Sequence, residues 1–125
     1  MITQSMFVIA VPDLARTAAF YRRVLAFEVH EMGEPDWRIL VNGGCTIMAA
    51  ARPTATAPAD IGDHAYFAYL VVDKIDEYYR RALDARAEIF KDLSTEPSAI
   101  REFGLRTPDG HRLMIGQPVA GTISR

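Results

Sequence analysis

The feature that most constrains this chain is that its pattern of elements runs once and then starts again. Phe7-Val8-Ile9-Ala10-Val11 is an unbroken apolar run of strand length. Pro12-Asp13 then opens a segment in which Leu14, Ala18, Tyr21 and Leu25 fall on one helical face, with Asp13 predicted as the N-cap. Three strand-length segments follow at 27–32, 37–41 and 45–50, separated by Gly33-Glu34-Pro35-Asp36 and Asn42-Gly43-Gly44, both turn sequences. Residues 52–63 carry Ala, Pro, Thr and Asp without periodicity and read as a linker. The pattern then returns. Residues 66–72 form a strand, and Asp73 is predicted to cap a helix that buries Ile75, Tyr79, Ala82 and Leu83. Strands follow at 87–91, 100–106 and 111–116, the last two joined by Thr107-Pro108-Asp109-Gly110. The halves echo one another: Val11-Pro12-Asp13-Leu14 meets Val72-Asp73-Lys74-Ile75, and Phe20-Tyr21-Arg22-Arg23-Val24-Leu25 meets Tyr78-Tyr79-Arg80-Arg81-Ala82-Leu83.

A chain of 125 residues suits a single domain with its own core. The net charge of −2 offers no basic surplus for nucleic acid or for an anionic membrane surface. No apolar run reaches the ~20 residues of a membrane span, and no basic stretch followed by an apolar one marks a signal peptide. The lone Cys45 excludes an intramolecular disulfide and reads as a small buried hydrophobe, consistent with a cytoplasmic location.

Strand alternation assigns the faces. With Phe7, Ile9 and Val11 beneath the first helix, Met6, Val8 and Ala10 face away from it. In the second half Ala68, Leu70 and Val72 go beneath the helix, while Phe67, Tyr69 and Val71 face away. Met48 and Met114 join the helix-free faces from the closing strands. A helix-free face this apolar requires a cover: the other half of the protein, a partner chain or a ligand.

Several of these segments also carry a family pattern. Val11-Pro12-Asp13-Leu14, Phe20-Tyr21, residues 25–29, and Val72-Asp73-Lys74-Ile75-Asp76 occur in order. They lead to the strongest stretch, residues 101–113, and to Ile115-Gly116-Gln117-Pro118. In these motifs the chain resembles the vicinal oxygen chelate superfamily (glyoxalase I, extradiol dioxygenases and bleomycin-resistance proteins), and most of all the bleomycin-resistance type. The resemblance spans residues 6–118. It implies an α+β fold of two βαβββ modules, about 5–51 and about 64–118, whose curved sheets enclose a cleft. It also implies a homodimer. Metal-dependent members place His, Gln or Glu at four positions that fall here on Met6, Met48, Phe67 and Met114. The glycine usual before the second strand of each module is replaced by Ala26 and Arg86.

Hard divalent cations require carboxylate or imidazole donors, which thioethers and phenyl rings do not supply. The expectation is therefore no bound metal and no cofactor. Met6, Met48, Phe67 and Met114 would form an apolar floor, Trp37 and Phe103 aromatic walls, and Tyr69 a polar handle. The matching function is metal-independent binding of a bulky apolar or aromatic small molecule, such as sequestration of an antibiotic or toxin. The alternative is a lyase, isomerase or dioxygenase drawing its metal ligands from other positions. His30, His64 and His111 do not cluster in sequence. Gln4 reads as a solvated terminal residue or a contact at the cleft mouth. Arg101 and Glu102 read as a charge pair or a ligand clamp, and Tyr66 as a second phenol near Tyr69.

Overall fold

The computed structural model describes residue 1, residues 4–54 and residues 66–119, with the backbone alone for Tyr66. The elements are β1 (Phe7–Val11), α1 (Leu14–Leu25), β2 (Glu28–Glu31), β3 (Trp37–Asn42), β4 (Cys45–Ala51), β5 (Tyr66–Val71), α2 (Ile75–Asp84), β6 (Glu88–Thr95), β7 (Ile100–Arg106) and β8 (Arg112–Pro118). The two halves share one topology. Each makes a four-stranded sheet, ordered β1-β4-β3-β2 and β5-β8-β7-β6. In each sheet the first and last strands of the half pair in parallel and the remaining neighbours antiparallel. The fold is thus α+β, a doubled βαβββ arrangement. Residues 55–63 of the expected linker, and His64, lie outside the described residues.

The helix ends show where local chemistry governs and where it yields. Asp13 caps α1 as expected, its side chain accepting from the Arg16 amide at 3.0 Å. Asp73 does not cap α2. Lys74 occupies the N-cap without a side-chain bond. Instead the Gln117 carboxamide reaches over from β8: its Oε1 accepts from the Ile75 amide at 3.1 Å and its Nε2 donates to the Asp73 carbonyl at 2.9 Å. A distant residue supplies what the nearest acid does not. Leu83, expected on the buried side of α2, is half exposed, because burial on that helix centres on Ile75 and Ala82.

The helix sides of the two sheets meet in one buried cluster. It joins Ile9, Val11, Leu40 and Ile47 from the first sheet with Phe103, Leu105, Leu113 and Ile115 from the second, and α1 contributes Tyr21, Val24 and Leu25. Polar ties fix the halves around it. The Thr17 hydroxyl donates to the buried Asp109 carboxylate at 2.7 Å, and Arg16 pairs with the same carboxylate at 3.2 Å. At the other end of α1, the Arg81 guanidinium donates to the Arg22 and Arg23 carbonyls. Asn42 bridges the Leu25 carbonyl and the Tyr78 hydroxyl. Because the helix sides face inward, the helix-free faces of both sheets lie on the outside of the chain.

Candidate functional site

The first sheet's outer face is built by register. Val8 and Ile39 flank Met48 from β1 and β3, and Trp37 stands beside Ala50 on the same face. Val8 is 63% exposed and Met6, two residues ahead of it, 45%. Trp37 is half-buried, with the Arg52 guanidinium 5.6 Å from its ring centroid. That contact already satisfies one face of the indole by cation–π attraction. Trp37 and Met48 therefore share one face, the helix-free face that alternation assigns to Met48.

On the second sheet, Tyr69 pairs in register with Met114, and Val71 with Gly116. Tyr69 and Val71 are 44% and 68% exposed. The Tyr69 hydroxyl donates to Glu102 Oε1 at 2.7 Å. Desolvation first, and then the Glu102 carboxylate, push the phenol above its ordinary range, so it remains a hydrogen-bond donor. Lys91 lies 3.6 Å from the other oxygen of Glu102 and 2.8 Å from Glu96, and Ser94 also donates to Glu96. The hydrogen bond to Glu96 raises the Lys91 ammonium against desolvation, and that contact lowers Glu96 in return.

Two expected site residues stand elsewhere. A bulge between Tyr66 and Ala68 shifts the register and releases Phe67 from the face of Tyr69. Its ring packs edge-on against Phe7 at 5.2 Å and lies 5.3 Å from His111, against the buried cluster. Phe103 is fully buried, opposite Ile115 and 5.0 Å from the Tyr79 ring beneath α2. It is core, not a wall, because alternation along β7 puts Arg101, Phe103 and Leu105 on the helix side. Arg101 accordingly pairs with Asp76 of α2 at 2.9 Å, while Glu102 faces the other way toward Tyr69. The reading of Arg101 and Glu102 as a mutual pair fails for the same reason.

A groove of ≈ 660 Å³ lies between the β3–β4 turn and the junction of β5 with α2, lined by Phe27, Cys45, Leu70 and Tyr78 among others. Of the expected site residues only Tyr69 borders it. Burial raises the Cys45 thiol, which keeps it protonated and a poor nucleophile.

Sequence reasoning gave no role to three residues of the second outer face. Phe90 sits in a register shift of β6 and lays its ring over Gly104, where an added Cβ would approach within 2.5 Å of it. The Arg106 and Arg112 guanidinium groups lie 5.8 and 5.2 Å from the Phe90 ring centroid. The available signal was Gly104 itself, since a glycine inside a strand marks a close approach.

A sequence model of the Glyoxalase/Bleomycin resistance protein/Dioxygenase superfamily matches residues 3–115. The chain belongs to this superfamily. Solved structures agree on the fold of the glyoxalase/bleomycin-resistance protein. TioX from Micromonospora sp. ML1 is similar at 22% identity, with 92% of this chain and 99% of that chain covered and a TM-score of 0.72. A bleomycin resistance determinant encoded on the transposon Tn5 shares 23% identity, with 94% and 98% covered and a TM-score of 0.73. A bleomycin-binding protein complexed with bleomycin shares 23%, with 93% and 98% covered and a TM-score of 0.71. No curated protein matches in sequence.

The four positions that the resemblance assigns to metal ligands, Met6, Met48, Phe67 and Met114, present thioethers and a phenyl ring, and the Phe67 ring packs against Phe7 and the buried cluster. Among the described residues no group of three or more His, Cys, Asp or Glu side chains could hold an ion. No helix among them is long and apolar enough to cross a membrane.

Proposed function

We propose that this protein binds a bulky, largely apolar or aromatic small molecule on its helix-free sheet faces, without a metal, and sequesters it. The observation that carries the reading is the composition of those faces. Met6, Val8, Trp37 and Met48 on one sheet, and Tyr69, Val71 and Met114 on the other, stand outside the core with thioethers where hard-cation donors would be needed. Thioethers adapt to irregular ligands. The similar bleomycin-binding protein, solved with bleomycin, supports small-molecule sequestration as the use of this fold here. Each outer face remains open in a single chain, and apolar patches beyond a few hundred Å² usually mark interfaces. A homodimer that closes two faces over one ligand accounts for both facts.

Native mass spectrometry of protein taken from its own cell extract tests the reading by its co-purifying small molecule. Met48→Glu and Met114→Glu should each weaken binding of that molecule more than they lower the melting temperature, because both sites border solvent that can hydrate a carboxylate. Collapse of both variants would make the methionines ordinary core and remove the site. Elemental analysis after dialysis should give well below one equivalent of Ni, Zn, Mn, Fe or Co per chain; a stoichiometric metal would overturn the reading.

A further inference from the structure

The outer face of the second sheet is graded in charge along its strands, and the grading names a ligand class. Three cross-strand rows can be read from the register. Arg112 and Arg106 stand opposite one another, with Glu88 beyond Arg106 at the edge. The next row is Tyr69, Met114 and Gly104. The third is Val71, Gly116 and Glu102. Two glycines, one in the middle row and one in the third, admit rings onto the sheet. Phe90 covers Gly104, and the Tyr69 hydroxyl lies where a Cβ on Gly116 would stand. Met114 stands between Tyr69 and Gly104 in the register. The result is a thioether–aromatic floor of the kind on which planar rings stack.

The two ends of this floor differ. At one end two guanidinium groups converge on the Phe90 ring, and the carboxylate paired with Arg106 is Glu88 at 2.9 Å, itself 68% exposed. At the other end Glu102 is only 16% exposed and gives its two oxygens to Tyr69 and Lys91. An anion would meet planar, bidentate donors at the first end and a carboxylate at the second. A cation would meet the reverse, but there the carboxylate is already engaged by an ammonium and a hydroxyl.

The geometry points to a planar aromatic acid as the ligand class of this face: its ring on Met114, Tyr69 and Phe90, its anionic group at Arg112 and Arg106. This rests on the proposed binding function and deepens it. Neither arginine is in a position from which the superfamily holds a metal, and neither belongs to the apolar floor expected from the sequence.

Three fluorescent probes separate the possibilities in the folded, full-length protein. Anilinonaphthalene sulfonate is an aromatic anion, N-phenylnaphthylamine is its neutral counterpart with the same rings, and proflavine is a planar cation. The anion should bind about tenfold or more tightly than the neutral probe, the scale of one charge-assisted contact. Arg112→Gln should erase that preference by weakening the anion far more than the neutral probe, and Phe90→Ala should weaken both. Arg106→Gln, which should narrow the preference in the same direction, serves if Arg112→Gln does not fold. Equal binding of anion and neutral probe, a preference for proflavine, or a preference untouched by both arginine variants overturns the ligand class and leaves the apolar binding site standing. Failure of all three probes to bind removes the binding function itself, and the ligand class with it.

Discussion

The left-handed residues Ala26 and Arg86 offer the sharpest test of how sequence and fold are reconciled here. Each ends the link from a helix to the following strand, at φ 60° and φ 57°. The chain is held there by hydrogen bonds that do not use the side chain. The Ala26 and Phe27 amides both donate to the Tyr21 carbonyl, and the Arg86 amide donates to Leu83 at 3.0 Å. Both side chains are exposed, so their removal forfeits little packing. An L-residue in this region costs about 1–2 kcal/mol that glycine does not incur. Glycine's greater freedom in the unfolded chain returns about 0.5–1 kcal/mol. The net gain is about 0.5–1 kcal/mol for Ala26→Gly and the same for Arg86→Gly. The two turns share no hydrogen-bond partner, so the double variant should gain about 1–2 kcal/mol. For a domain of this length that corresponds to roughly 3–8 °C in Tm. Urea denaturation should show a higher midpoint with an unchanged slope. Ala26→Val, which places a β-branched side chain in the same conformation, should move the midpoint down. A double glycine variant no more stable than the parent would refute the reasoning, because unfolded-state entropy would then outweigh the strain.

Thr17→Val removes the hydroxyl that donates to buried Asp109 and should destabilise by about 1–3 kcal/mol, read from chemical denaturation. A change below ~0.5 kcal/mol would mean that Arg16 alone satisfies the carboxylate. His111 is lowered by burial, with Asp109 opposing. Its folded pKa therefore lies below its unfolded value of 6.5, so its contribution is complete above that pH and is lost as pH falls through the folded pKa. The fall in stability below pH ~6.5 should be shallower in His111→Gln. Light scattering should give twice the 13.9 kDa chain mass for the proposed homodimer, and a clean monomer would contradict it.

The sequence by itself determined the doubled architecture. Strand alternation and helical spacing are local periodicities, and they placed β1 on its observed bounds and the α1 cap on Asp13. The same alternation put Met48, Tyr69 and Met114 on the outer faces. It failed where a single residue breaks the period. The bulge before Ala68 turned Phe67 inward, and the register shifts of β6 brought both Phe90 and Lys91 into play. A shift of one residue inverts a face, and nothing in the local run of side chains announces it. Phe103 went beneath α2 because its register partner is Ile115, a pairing that only the assembled sheet defines. The Gln117 bridge to α2, the Asp109 anchor on α1 and the pair of arginines at Phe90 join residues far apart in the chain. Periodicity sets which way a side chain points within its own strand. Which charges and rings it meets there is set by strand order and register, and these arise only when the two halves pack.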